Sequence, residues 1–232
     1  VAAAAQTTDR SKIRETDEPT LTTRRPMTEG AHPAPSPASC GTPPTNKKND
    51  APVTVGPTNG GTVYWCNSTW SNNGTVNLPG TYVLYNMSID NLHVTVRCPT
   101  CTPGGLGVTF VLTGSTPAQV GAVDSNAQAN VRLNAPGGGP YAGVLIYRDD
   151  LGTNQVSKIN GNADINLIGA MYFPTGTVWF NGTSGLTFPT VCRVIVADTI
   201  VMNGNTDVAV TNRDCDRAMT AVPQVRTVRL LE

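Results

Sequence analysis

Ala170-Met171-Tyr172-Phe173 is followed by Thr177-Val178-Trp179-Phe180-Asn181-Gly182, and the same two-part outline returns in Val194-Ile195-Val196-Ala197 and Thr199-Ile200-Val201-Met202-Asn203-Gly204. Each half is a short apolar run rich in β-branched and aromatic residues, which suit a pleated surface. Each copy ends on Asn-Gly, a pair that readily adopts left-handed turns. The apolar segments opening at Gly169 and Cys192 lie 23 residues apart. The Asn-Gly pairs at Asn160, Asn181 and Asn203 lie 21 and 22 apart. Earlier blocks, at Gly143 and Val108, are spaced 26 and 35, as if loops were inserted. A period in the low twenties with strands and a turn in each copy predicts a solenoid. Coils then stack by parallel pairing and bury Val, Ile and Leu inside.

Working outward, further short runs have strand character. They are Tyr82–Tyr85 after the turn Leu78-Pro79-Gly80, His93–Val96, Val108–Thr113, Asn130–Asn134, Gly143–Tyr147 and Asp207–Val210. No window repeats apolar residues at helical spacing, and Ala118–Ala129 is the best place for a short helix. A β-sandwich, which also uses short strands at close spacing, is the competing architecture. The expected fold is all-β: a right-handed parallel β-solenoid (β-helix) body over residues 53–232, preceded by an extended Pro/Thr-rich arm or linker over residues 1–52.

Composition agrees with that division. The 232 residues carry 16 basic and 16 acidic side chains, for zero formal net charge. Residues 1–50 hold 7 Lys/Arg and 6 Asp/Glu, while past Lys48 the sole lysine is Lys158 and the sole glutamate is Glu232. A body so poor in Lys and Glu lacks the strongest surface helix formers. Neutrality argues against an electrostatic grip on nucleic acid or an anionic membrane. No run of 18 apolar residues is present to span a bilayer as a helix. Prolines 19, 26, 33, 35, 37, 43 and 44 break any regular element in the arm. Its large aliphatic residues, Ile13, Leu21 and Met27, are the candidate assembly contacts. Such a segment buries too little of its own surface to offset chain entropy, so its order depends on a neighbour or on the body.

Six cysteines, at 40, 66, 98, 101, 192 and 215, form an even set. Together with the scarcity of Lys and Glu they point to an exported protein in an oxidising compartment, extracellular or at the cell surface. Fifteen pairings are open. The favoured set is Cys98–Cys101 as a local bridge, Cys192–Cys215, and Cys40–Cys66 anchoring the arm to the body. A zinc site at Cys98-Pro99-Thr100-Cys101 lacks a second pair of ligands, and Pro and Gly around it argue against a helix-borne redox motif.

The blocks Gly107–Gly114, Pro140–Asp149, Gly169–Pro174 with Phe180-Asn181-Gly182, and Cys192 through Val196–Ile200 with Asn203-Gly204-Asn205 occur in an order that resembles the C-terminal region of TadG-like proteins. These belong to the tight-adherence (Flp) pilus-assembly systems of bacteria. Upstream, Cys66 and Leu78–Val83 match the start of that region, and the resemblance covers about residues 60–215. It implies a pilus-associated, envelope or surface protein and carries over no catalytic residues. Neither the membrane helix nor the von Willebrand A-like region of that family is recognisable in the sequence. The chain therefore reads as a C-terminal portion, or as a protein that uses this module alone, and its arm matches no family motif.

The expected function is structural and non-catalytic: a pilus-associated module or a filament-forming subunit that assembles through its arm and solenoid ends. The expected partners are other copies of the chain or other pilus and envelope proteins. No cofactor and no metal are expected. One alternative is a surface adhesin, with a glycan as partner and the aromatics Tyr64, Trp65, Trp70 and Tyr82 as its candidates, although aromatics that close a solenoid end look the same in sequence. A second alternative is a β-helix polysaccharide lyase or hydrolase using Asp149 and Asp150, since paired carboxylates serve as acid and base. Arg148-Asp149-Asp150 equally reads as an exposed polar turn, and Arg213–Arg217 as a solvated loop. Asp124, Asp149, Asp150 and Asp164 carry oxygen ligands of the kind calcium takes but lack a calcium-loop spacing.

Overall fold

The structure is a computed structural model, and it describes residues 40–56, 61–92, 95–125, 130–160, 165–181 and 192–203. Among them every strand pair is parallel, and the strands wind into one solenoid with three faces. The first face stacks β1 (Cys40–Gly41), β3 (Thr62–Cys66), β6 (Gly80–Tyr85), β9 (Val108–Thr113) and β12 (Val144–Arg148). The second stacks β4 (Thr69–Trp70), β7 (Ser88–Leu92), β10 (Val123–Ser125) and β13 (Val156–Asn160). The third stacks β2 (Val53–Thr54), β5 (Val76–Asn77), β8 (Thr95–Arg97) and β11 (Asn130–Asn134). β14 (Ile165–Asn181) runs through the third, first and second faces in turn. β15 (Arg193–Asn203) lies on its first- and second-face portions. The parallel solenoid read from the repeat is thus the fold.

Rungs differ in length because the corners differ. One turn takes 19 residues from Asn67 to Asn86 and 36 from Thr113 to Asp149, where residues 114–122 bulge out before β10. From Asn181 to Asn203 it takes 22. Asn67 and Asn86 turn the corner between the first and second faces with φ of 53° and 52°. This left-handed region is one that asparagine tolerates better than most residues. Gly169 has φ 125°, and a Cβ there would come within 2.5 Å of the Ala135 Cβ, so this corner of β14 requires glycine.

Alternation fills the interior. Trp65, Leu84 and Leu112 are in register on the first face and fully buried, as are Val178 and Phe180 on the second. Over the described part of the helix expected at 118–129, residues 118–125, only one 3-10 turn forms, Pro117–Gln119. Val123 and Ser125 instead point inward from β10, because parallel pairing with β13 outweighs a segment that has no apolar helical stripe. Strands β7, β10 and β13 were not marked by apolar runs, since their outward positions carry Asp90, Asp124 and Lys158. Among the described residues the first paired strand is Cys40–Gly41, within the segment read as arm. His93, Val94, Asp164, Asp207–Val210, Arg213–Arg217 with Cys215, and Ile13, Leu21 and Met27 lie outside the described residues.

Candidate functional site

The proposed acid pair does not assemble. The inward column Trp65–Leu84–Leu112 continues into Arg148, whose side chain is 0% exposed. Its guanidinium donates from Nε to the Gly121 carbonyl at 2.9 Å and from Nη2 to the Thr153 and Val120 carbonyls at 2.8 and 3.3 Å. Nη1 donates to the Thr175 hydroxyl at 3.1 Å. These acceptors come from the corners of three successive rungs. Burial draws the guanidinium's pKa down, and the Asp149 carboxylate pushes it back up. Asp149 is itself buried. It accepts from the Thr113 hydroxyl at 2.7 Å and from the Leu151 amide at 2.9 Å, while Asp150 is exposed. The expected exposed turn is therefore a buried clamp through Arg148 and Asp149, and the two carboxylates do not share a cleft. A charge inside an apolar lumen persists because each bonded carbonyl would otherwise be orphaned.

The aromatic candidates for glycan contact are mostly core. Trp65, Trp70 and Tyr82 are buried, with Trp65 centroids 5.2 and 4.8 Å from those of Trp70 and Tyr82. The segment after β1 seals this end of the solenoid. Trp70 Nε1 donates to the Pro44 carbonyl at 3.0 Å, Asn46 Nδ2 donates to the Thr75 carbonyl at 2.9 Å, and the Asn46 amide donates to Asn72 Oδ1 at 2.6 Å. The disulfide Cys40–Cys66 fixes that segment to the next rung, and Cys98–Cys101 forms locally. Cys192 is also disulfide-bonded and fully buried, and the expected partner Cys215 lies outside the described residues.

Tyr64 alone of that group faces outward, beside a small external cluster in which Tyr141 covers Val83 and Val111. On the same column Tyr147 and Tyr172 stack at 5.5 Å with planes 6° apart, so each covers one face of the other. Burial first, then Asp149, Asp150 and Tyr172, push the Tyr147 phenol up to about 12.

The outward side of the second face is polar and regular. Asp124, Lys158, Trp179 and Val201 occupy one column on four successive rungs. Two residues further along each strand, Asn160, Asn181 and Asn203 form an amide ladder. Asn181 Nδ2 donates to Asn160 Oδ1 at 2.7 Å and Asn203 Nδ2 to Asn181 Oδ1 at 3.0 Å, while Asn160 Nδ2 reaches Asp124 Oδ1 at 3.4 Å. Burial raises the Asp124 carboxyl, Lys158 lowers it and Asp90 raises it, for a net upward shift. The repeat of Asn-Gly signalled this ladder; the Asp124–Lys158–Trp179 column had no local signal.

The solenoid's other described end is β15. Met202 is 54% and Ile200 42% exposed, although Phe180 and Val178, their partners one rung below, are buried. Among the described residues no helix is long and apolar enough to cross a membrane, and no group of three His, Cys, Asp or Glu side chains is placed to hold a metal ion. No protein-family model, curated protein or solved structure matches the chain.

Proposed function

We propose that the protein is a non-catalytic structural module of the bacterial cell envelope or surface, pilus-associated or itself a filament-forming subunit, as its resemblance to TadG-like proteins implies. The observation that carries this reading is the inequality of the two described ends. The first is sealed by Pro44–Asn46 over Trp70 and tied by Cys40–Cys66. The last described rung carries its inward column, Ile200 and Met202, into solvent along an eleven-residue strand. Exposed strand edges of this kind pair with other chains. The disulfides support an exported setting, because they persist in oxidising compartments. In this reading the residue 1–52 arm, through Ile13, Leu21 and Met27, engages a neighbour, and the β15 end receives one.

The test uses the full chain. Sedimentation and negative-stain microscopy are compared for wild type, Ile200→Lys/Met202→Lys, and Ile13→Asp/Leu21→Asp/Met27→Asp. Concentration-dependent oligomers or filaments that both variants abolish support the proposal. A wild-type monomer at every concentration, or assemblies indifferent to both sets of changes, overturns it.

A further inference from the structure

The outward side of the second face has a use that assembly through solenoid ends does not require. Val156–Asn160, Thr177–Asn181 and Thr199–Asn203 stack residue for residue with no register shift within these three segments. Their outward columns therefore rise straight along the solenoid, one side chain per rung at the ~4.8 Å spacing of paired strands. One column holds Asp124, Lys158, Trp179 and Val201, and the next holds Asn160, Asn181 and Asn203.

Three properties of this strip select a ligand. Trp179 is the one tryptophan of three that is not buried, since Trp65 and Trp70 are 1% and 0% exposed. An indole on a flat sheet surface offers an apolar plate with a polar tip. The ladder leaves hydrogen-bonding capacity at its middle step. A primary amide has two N–H donors and two acceptor lone pairs, and Asn181 commits one of each to its neighbours. Net charge here is small and not positive: one cation, Lys158, faces two carboxylates, Asp124 in register with it and Asp90 on the rung below, so there is no basic patch to select a polyanion. A straight strip with an apolar plate, spare amide groups and carboxylate acceptors, and little net charge, complements a chain of hydroxyl-rich rings with apolar C–H faces.

We propose that the strip along Asp124, Lys158 and Trp179, flanked by the Asn160–Asn181–Asn203 ladder, binds a neutral linear polysaccharide lying parallel to the solenoid axis. Trp179 stacks on a sugar ring, and the amides and Asp124 bind its hydroxyls. The placement differs from the adhesin reading of the sequence: Trp65, Trp70 and Tyr82 are core, Tyr64 lies on the first face, and the half-buried Trp179 lies on the second.

Trp179 is also the reporter. The full chain is titrated with cello-, laminari-, manno- and chito-hexaose and, as an anionic control, hexagalacturonate, following tryptophan emission and iodide quenching. At least one neutral hexaose should give a saturable change and shield Trp179 from iodide. Trp179→Ala should weaken binding about tenfold or more, the loss of one stacking contact. Trp179→Phe, which keeps a ring and the fold, should recover part of the affinity; binding to immobilised hexaose reads the variants without the fluorophore. The proposal is overturned if no neutral hexaose binds at millimolar concentration, if only hexagalacturonate binds, or if Trp179→Ala binds equally well. It is also overturned if Trp179→Ala changes the sedimentation of the protein instead, which would make the strip a contact between copies. Because sugar binding and assembly are read by separate measurements, failure to bind sugar leaves the assembly proposal standing, and the reverse holds as well.

Discussion

Asn181 stands one rung above Asn160, and its side-chain Nδ2 donates to the Asn160 Oδ1 at 2.7 Å; Asn203 repeats the bond onto Asn181 at 3.0 Å. A backbone repeat is thus copied by side chains at the corner where the second face ends. The bond works because parallel stacking puts identical side chains at strand spacing, the same geometry that builds amide ladders in stacked sheets.

Asn181→Ala breaks both bonds of the middle position and should lower stability by about 1 kcal/mol, since the Asn160 bond is partly buried and the Asn203 bond is exposed. Asn181→Asp should cost more at neutral pH, since a carboxylate cannot donate to Asn160, and should recover in acid when the carboxyl regains a proton. Urea unfolding at pH 7 and pH 4 measures both. An unchanged midpoint for Asn181→Ala would show the ladder to be ornamental.

Arg148 should be among the costliest positions to change. Arg148→Met keeps much of the volume but orphans the carbonyls of Val120, Gly121 and Thr153. The expected loss is roughly 3 kcal/mol or more, at about 1–3 kcal/mol for each orphaned group. Gly152→Ala probes the same clamp from outside, since a Cβ there would lie 2.6 Å from the guanidinium. Protease susceptibility at corners 114–122 and 149–155 should rise in both variants. Wild-type resistance in both would overturn the clamp.

These two features show where the sequence was legible. Asn160, Asn181 and Asn203 announced a repeat because the corner they share recurs at nearly constant length. Local alternation, not the repeat, marked Val108–Thr113 and Asn130–Asn134 to the residue. β10 and β13 were opaque, since Asp124 and Lys158 face outward and only two inward residues per strand are buried. Arg148-Asp149-Asp150 was misread because local polarity suggests solvent. Its acceptors come from residues 120–121, 153 and 175, and no neighbouring residue announces them. Trp65, Trp70 and Tyr82 had two readings in sequence, and burial decides between them.

The two resolved disulfides should contribute unequally. Cys40–Cys66 closes a separation of 26 residues and Cys98–Cys101 one of 3. On the chain-entropy account the first restrains the unfolded chain by about 3.5 kcal/mol and the second by about half that. Cys40→Ser/Cys66→Ser should therefore lower the urea midpoint more and expose Trp65 and Trp70 to iodide, while Cys98→Ser/Cys101→Ser should lower it about half as much and leave both indoles shielded. Equal effects from the two pairs would contradict this account.

Asp124 gives stability a pH signature. Its carboxyl is raised in the fold, chiefly by burial, so between the ordinary value of 3.8 and the raised one the folded protein holds more protons than the unfolded chain. Its contribution is fully present below 3.8 and is lost as pH rises through the raised value. Asp124→Asn removes that loss and supplies a neutral amide beside Asn160. The variant should be more stable than wild type at pH 7, with the gain vanishing below pH 3.8. A gain independent of pH would assign the effect to the new amide bond instead of to charge.

Ser125 offers the opposite kind of change, one that repairs a fault. Its hydroxyl is buried with no hydrogen-bond partner, and it lines a lumenal cavity of about 40 Å³ beside Phe110, Leu145 and Ile159. It is the one polar side chain among the lining residues, and a trapped water needs two to four polar partners. Ser125→Val removes the orphaned hydroxyl and extends apolar atoms into the void. It should stabilise the protein by about 1 kcal/mol, through relief of desolvation and partial cavity filling. Ser125→Leu should gain less or lose, because the larger side chain presses on the opposite wall. Thermal and urea unfolding of the pair read the sign directly. A less stable Ser125→Val would mean that the hydroxyl has a partner inside the lumen.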